Sequence, residues 1–60
     1  MAMKARVYYD GGWWYGEVYA DWLIGGEEWR DVTNNCFTKT GAIIALKLWL
    51  RKHKIYDIKV

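Results

Sequence analysis

The sequence contains no proline, a single cysteine and a single histidine among its 60 residues. Cys36 therefore has no partner for an internal disulfide, and one cysteine with one histidine does not supply the usual nitrogen and sulfur ligands of a zinc site. The chain also lacks a charged-then-apolar leader and a run of about 18 apolar residues that could cross a membrane. We expect a cytoplasmic protein with no metal, no cofactor and no membrane partner.

Strong charge of either sign is missing too. Nine lysines and arginines against seven aspartates and glutamates leave a net charge of +2, which predicts no dominant attraction to nucleic acid or anionic membranes. By contrast, 53% of the residues are hydrophobic and 18% aromatic, far from the composition of disordered chains. Residues 1–60 are expected to form one domain, with residues 1 and 2 interpreted as an expression remnant before a native start at Met3. A chain of this length buries only about 60% of its unfolded surface, so association would stabilise it.

A pair of glycines predicts the first β-hairpin. With Gly11-Gly12 as a two-residue turn, glycine supplies the positive φ that such turns need. The flanking strands then place Arg6 opposite Glu17 and stack aromatic residues beside that pair, contacts that contribute about 0.2–1 kcal/mol each. A turn one residue earlier would shift the pairing by two residues and leave every side chain on the same face.

A second pair of glycines predicts a second hairpin. With Gly25-Gly26 as its two-residue turn, Trp22 lies opposite Trp29 and Asp21 lies opposite Arg30, again an aromatic pair beside a charge pair. The two hairpins share their middle strand. Together they predict a three-stranded antiparallel meander.

Alternation along these strands divides their side chains between two faces. The first face is the expected core, and it carries Ala5, Val7, Tyr9, Trp14, Val18, Ala20, Trp22 and Trp29. The second face mixes aromatic and charged residues, and it carries Tyr8, Trp13, Tyr15, Tyr19, Leu23 and Val32 among Lys4, Arg6, Glu17, Asp21 and Arg30. The second face is too polar for a core and unusually aromatic for a wetted surface. We therefore predict partner binding by Tyr8, Trp13, Tyr15, Tyr19, Leu23, Arg6 and Arg30.

The remaining third of the chain predicts one helix and a short strand. Thr38 or Thr40 can cap a helix that runs from about Gly41 to His53. Its apolar stripe, which should cover the core face of the sheet, consists of Ala42, Ala45, Leu46, Trp49, Leu50 and His53. Three further apolar residues widen this arc beyond one sheet contact: Ile43, Ile44 and Leu48. The tail 55–60 alternates weakly and is interpreted as a fourth strand, which completes an α+β fold of the order β-β-β-α-β.

The sequence offers little for catalysis. His53 and Cys36 have no supporting neighbours in the pattern, and Glu27-Glu28 would point to opposite faces of a strand, so these two carboxylates do not converge. Neither glycine pair has the spacing and following helix of a phosphate-binding loop. We expect no catalytic residues and no enzymatic activity.

The segment from Cys36 to Ala42 leads from the third strand into an apolar helix. In a pattern that extends over about Lys4 to Lys52, this junction resembles that of the amino-terminal arm-binding domains of some phage and transposon integrases. It also resembles the last part of a double-stranded-RNA-binding domain. The resemblance implies nucleic acid bound at the sheet or the helix start, with basic residues holding phosphates. The helix start carries only Lys39 where the RNA-binding family has a lysine cluster, and that family's preceding helix is absent. The order of elements also resembles antitoxin domains of the HicB type, which similarly lack basic character.

The second face therefore has three interpretations. Its Tyr and Arg residues could bind unpaired bases and phosphates, they could only stabilise the sheet, or they could form a protein interface. The acidic Glu17 and Asp21 among them favour the protein interface. We expect a small protein-binding module, a homodimer, of the kind with which phages and mobile elements inhibit a host defence protein; nucleic-acid binding by the same face is the alternative.

Overall fold

A computed structural model describes residues 3–60 of the chain. Three strands and one helix follow each other along it: β1 (Lys4–Asp10), β2 (Trp13–Trp22), β3 (Gly26–Asp31) and α1 (Lys39–Lys52). The strands form one antiparallel sheet in the order β1-β2-β3, so the predicted α+β class and the meander are confirmed. The expectation of an expression remnant concerns residues 1 and 2, which lie outside the described range.

The first hairpin has the predicted register. Gly11 and Gly12 have φ values of 59° and 88°, the left-handed conformations that a two-residue hairpin turn requires. Arg6 lies opposite Glu17, and two aromatic pairs lie opposite one another between this ion pair and the turn. Local chemistry at the turn therefore determines the whole β1–β2 pairing.

The predicted register of the second hairpin is wrong. Trp22 pairs with Gly26, and Tyr19 pairs with Trp29, because the connection is a loop of three residues, 23–25, instead of a two-residue glycine turn. Gly25 takes a φ of 98° in this loop, the left-handed position that glycine favours in three-residue hairpins. The partners of β3 are displaced by three residues from the predicted ones, and an odd displacement moves every side chain of β3 to the other face.

Three predicted positions change as a result. Trp29 lies on the face away from the helix and not in the core, whereas Arg30 and Val32 lie on the helix side. Leu23 is on neither face, since it sits fully exposed in the loop. The loop is held in this form by the Arg30 guanidinium, which donates to the carbonyl of Ile24 and lies 5.0 Å from the ring centre of Trp22.

The hydrophobic core lies between the sheet and α1. Val18, Ala42 and Leu46 are fully buried, and Ala20 and Leu50 are nearly so. The helix contacts β1 and β2, while within residues 3–60 it makes no contact with β3. Half-buried apolar residues around this cluster complete the core; they are Met3, Ala5, Val7, Trp22, Val32, Trp49 and Ile55.

The helix crosses the sheet at Gly16. A Cβ atom added there would lie 2.9 Å from Cγ2 of Thr33 and 3.0 Å from Cβ of Leu46. The Gly16 amide also donates a 2.9 Å hydrogen bond to Oγ1 of Thr33. Glycine is therefore required at this position by the close approach of the helix, because any side chain would push the two layers apart.

Both ends of the helix have defined caps. Oγ1 of Thr38 accepts from the Gly41 amide at 3.0 Å, so the predicted Thr38 cap is confirmed and the helix begins two residues earlier than expected. At the other end, Lys54 takes a φ of 60°, its amide bonds to the Arg51 carbonyl, and the Ile55 amide bonds to the Leu50 carbonyl. This is the Schellman arrangement that terminates helices.

The predicted fourth strand is absent from the described chain, which is irregular after the helix. Ile55 and Ile58 are the half-buried residues of the tail, whereas Tyr56 and Val60 are exposed. A burial spacing of three residues does not fit the two-residue period of a strand. Within residues 3–60, no helix is both long and apolar enough to cross a bilayer.

Candidate partner-binding surface

We call the side of the sheet away from α1 the open face. Its aromatic residues come from all three strands: Tyr8 of β1, Trp13, Tyr15 and Tyr19 of β2, and Trp29 of β3. All five side chains are half-buried, although no helix covers them. They reach this state by lying against one another and against charged neighbours.

The rings of the open face are paired. Tyr8 stacks on Tyr15 with 5.4 Å between ring centres and 27° between planes, and Tyr19 meets Trp29 at 5.5 Å. Trp13 lies 4.8 Å from the ring of Phe37, which follows β3 in the chain. Aromatic pairs at these distances contribute about 0.5–1.5 kcal/mol beyond their buried area. Each ring of the open face thus has an aromatic neighbour within the chain itself.

An arginine and a glutamate lie at the centre of this arrangement. Arg6 forms an ion pair with Glu17 and places its guanidinium 4.0 Å from the ring centre of Trp29. The residue exposure of Glu17 is only 8%, because neighbouring side chains lie over it. A carboxylate so covered requires a cation within reach, and Arg6 supplies it.

Tyr8 links the two outer strands. Its hydroxyl donates a 2.7 Å hydrogen bond to Oδ1 of Asp31, so the side chain crosses β2 between Tyr15 and Glu17. This hydrogen bond, partial burial and the nearby carboxylates raise the pKa of Tyr8 from its ordinary 10 to about 12. All these influences favour the neutral phenol, and the part due to the nearby carboxylates reflects the negative charge around Tyr8.

The open face is acidic although the protein is basic. Five carboxylates project from it, namely Asp10, Glu17, Asp21, Glu27 and Asp31. Lys4 and Arg6 are its two cations, so its net charge is −3. Since the whole chain carries +2, the remaining residues carry +5. The two sides of this small domain therefore have opposite charge.

Two of the carboxylates face each other without a neutralising partner. Asp21 lies directly opposite Glu27 at the end of the β2–β3 hairpin, and neither forms an ion pair with a described residue. Like charges at directly opposed positions destabilise a sheet by a few tenths of a kcal/mol. Folding alone gives no reason to keep this pair.

The structure brings five of the seven predicted binding residues together: Arg6, Tyr8, Trp13, Tyr15 and Tyr19. Arg30 lies on the helix side, where it bonds to Glu28 at 2.7 Å, and Leu23 lies in the hairpin loop. Trp29 belongs to the open face but was expected in the core. A three-residue loop would have indicated its position, because that register also moves the apolar Val32 into the core.

The residues considered for catalysis remain separate. Glu27 is on the open face and Glu28 on the helix side, as alternation predicts. The Cys36 thiol lies 3.3 Å from the Asn34 carbonyl oxygen, and the His53 ring lies 4.3 Å from the ring of Trp49. Among the described residues, no three His, Cys, Asp or Glu side chains come together as metal ligands.

Large apolar side chains are exposed beside the open face and away from it. Phe37, which packs against Trp13, is 83% exposed. Leu23 and Ile24 form the tip of the second hairpin, Ile44 and Leu48 lie one turn apart on the outer flank of α1, and Tyr56 lies in the tail. Comparison of the chain with protein-family models, curated proteins and solved structures finds no match.

Proposed function

We propose that this chain is a non-enzymatic protein-binding module that engages its partner through the open face. The observation that supports this function is a set of five half-buried rings surrounded by a net charge of −3; four of the rings pair with one another, and Trp13 pairs with Phe37. Tyr, Trp and Arg are the residue types that dominate binding energy at protein interfaces. Rings that are already held in place lose little conformational freedom on binding, which favours affinity.

The charge of the open face defines the chemistry of the partner. The faces of Tyr and Trp rings attract cations, as Arg6 over Trp29 already illustrates. The unpaired carboxylates of Asp21 and Glu27 would be neutralised by a lysine or arginine from outside. The partner is therefore a protein that presents basic side chains to the open face.

The same charge argues against nucleic acid on this face. Phosphates would meet five carboxylates and two cations, and Arg6 is already paired with Glu17. The expected contribution of Arg30 is lost, because that residue lies on the other side of the sheet. Binding dominated by phosphate contacts requires a basic surface, and the open face is not basic.

The class of protein that we propose is the one expected from the sequence. A small domain that binds without chemistry can inhibit a host protein by covering its functional surface, as phage and mobile-element inhibitors do. A basic functional surface of the host protein, such as one that binds nucleic acid, would suit the acidic open face. We further propose that the module acts as a homodimer.

The test is capture of proteins from a bacterial lysate with two charge variants. Glu27→Lys places a cation on the open face, and Asp57→Lys makes the same charge change on an exposed residue of the tail. We expect Glu27→Lys to lose the captured protein and Asp57→Lys to retain it. Recovery of nucleic acid alone, or equal capture by both variants, would contradict the proposal.

A second pair of variants tests the rings. Tyr19→Ala removes a ring of the open face, while Tyr56→Ala removes a 74% exposed ring of the tail. Only Tyr19→Ala should weaken capture. Far-ultraviolet circular dichroism of both variants verifies that the loss is not unfolding.

A further inference from the structure

The outer edge of β1 is open for pairing. On β2, Trp14 and Gly16 direct their backbone groups toward the chain that follows β3, so the alternate residues of β2 bond to β1. In β1, this leaves the N–H and C=O groups of Ala5, Val7 and Tyr9 directed away from the sheet. Within residues 3–60 these groups have no backbone partner.

We propose that two copies of the chain pair through β1 about a two-fold axis at Val7, which forms one continuous six-stranded sheet. The geometry of this dimer is argued from the β1 edge alone, whereas its use in partner binding rests on the proposed function. In this register the opposed residues are Lys4 and Asp10, Ala5 and Tyr9, Arg6 and Tyr8, and Val7 with its copy. The three pairs formed by Ala5, Val7 and Tyr9 would each exchange two backbone hydrogen bonds, six in all.

Charge selects this register. Two antiparallel β1 strands can pair only if the residues whose backbone N–H and C=O groups point outward lie opposite each other. These are alternate residues, so the two-fold axis must pass through a residue and not between two residues. At Val7 the axis places Lys4 opposite Asp10 twice, and both residues are exposed and lack an ion pair within residues 3–60. An axis at Arg6 would oppose two arginines. An axis at Tyr8 would oppose Asp10 to Arg6, which is already paired with Glu17, and would leave Lys4 without a partner.

Side-chain size fits the same register. Tyr9 is 61% exposed although it lies on the helix side of β1, and the residue opposite it would be the small Ala5 of the second copy. On the open face, Arg6 would lie opposite Tyr8, and both side chains already reach away from this edge, Arg6 toward Trp29 and Tyr8 toward Asp31, so they leave the edge clear. Pairing would thus cover part of the exposed Tyr9 ring, which within its own chain lies 5.2 Å from the ring of Trp14.

Charge disfavours such pairing at the other edge of the sheet. For two copies of β3, an axis at Trp29 places Glu27 opposite Asp31 twice, and the Glu28–Arg30 pairs that it would form compete with the ion pair these residues already make within one chain. An axis at Glu28 opposes two glutamates, and an axis at Arg30 opposes two arginines. Opposed like charges on an edge strand are a recognised protection against edge-to-edge pairing. Self-association through β1 therefore closes into a dimer and does not continue into a fibre.

The dimer would enlarge the binding surface. A two-fold axis perpendicular to the sheet keeps both open faces on the same side, so ten rings and twice the negative charge would form one surface. One pair of edge strands buries less area than a stable interface usually does. We therefore expect association that depends on protein concentration.

Charge reversal at the ends of β1 tests the register. In sedimentation equilibrium we expect Lys4→Asp and Asp10→Lys each to shift the protein toward monomer, because each opposes like charges twice. The double variant K4D/D10K restores opposite charges in the swapped arrangement and should restore the dimer. A monomer at all concentrations of the wild type, or a double variant weaker than both single ones, would overturn the proposal.

Nuclear magnetic resonance on a mixture of isotope-labelled and unlabelled chains tests the geometry. The proposed register predicts an intermolecular contact between the Hα atoms of Arg6 and Tyr8, and slow amide exchange at Val7 only at concentrations that give the dimer. A dimer without these signals would use another surface and refute the inference. Partner capture by the face variants is measured separately, so a failed β1 dimer and a failed open-face function are distinguishable.

Discussion

On the helix side of the sheet, aliphatic residues such as Val18 and Leu46 are completely removed from water, whereas on the open face aromatic rings pair with each other and remain half exposed. The helix side depends on close packing, in which each methyl group has a fixed place. The open face depends on cross-strand pairs that each contribute modestly. Substitutions on the helix side should therefore change stability most, and those on the open face should mainly change binding.

The largest effect is expected at the crossing of helix and sheet. Gly16→Ala inserts a methyl group 2.9–3.0 Å from Thr33 and Leu46, and overpacking of this kind costs about 1–3 kcal/mol. Chemical denaturation followed by circular dichroism measures the loss. In a Thr33→Ser background, which removes Cγ2 but keeps the hydroxyl, the penalty of Gly16→Ala should shrink; an unchanged penalty would assign the clash to Leu46.

On the open face, Tyr8→Phe removes the hydrogen bond to Asp31 and should lower the free energy of unfolding by about 0.5–1.5 kcal/mol at neutral pH. Because the folded-state pKa of Tyr8 lies at about 12, above its ordinary 10, the contribution is complete below pH 10 and disappears as pH rises through 12. The stability difference between wild type and Tyr8→Phe should therefore decrease between pH 10 and 12. A difference that stays constant over this range would contradict the linkage to Tyr8.

A smaller change, an increase in the free energy of unfolding, is expected from a substitution at the C-terminal end of α1. Lys54 is the one described residue other than glycine with a positive φ, at 60°, a conformation that costs side chains with a Cβ atom about 1 kcal/mol. Lys54→Gly should raise the free energy of unfolding by about 0.5–1 kcal/mol. Lys54→Ala is the matched control, since it removes the charge but keeps the strain, and it should have no such effect.

The smallest effect should be a gain in stability from a substitution at the end of the β2–β3 hairpin, where Asp21 lies opposite Glu27. Glu27→Lys replaces the repulsion with Asp21 by attraction and should stabilise the protein by about 0.2–1 kcal/mol. The same variant is expected to lose partner capture. Thermal unfolding measures the stability term; a destabilised Glu27→Lys would show that the acidic pair serves the fold and not the open face.

Part of the candidate site could be predicted from sequence. Alternation from the first turn assigns Arg6, Tyr8, Trp13, Tyr15 and Tyr19 to one face. Moving this turn by one residue shifts the strand pairing by two residues, so either position of the turn gives the same faces. Trp29 and Arg30 were exchanged because the second turn could be assigned two residues or three. A difference of one residue in the length of a loop moves every side chain of the following strand to the other face. Local sequence does not distinguish a two-residue loop from a three-residue loop here.

The sequence by itself determined the elements whose chemistry is local: the first hairpin through the positive φ of its glycines, and the helix through its apolar period and the Thr38 cap. The tertiary structure alone decided the register of β3, because Val32 packs into the core and Arg30 closes the loop onto Ile24. The tertiary structure also decided the conformation of the tail. The turn at Lys54 directs Ile55 into the core, and the tail does not form a strand. Packing chooses between alternatives that local preferences leave equal in energy.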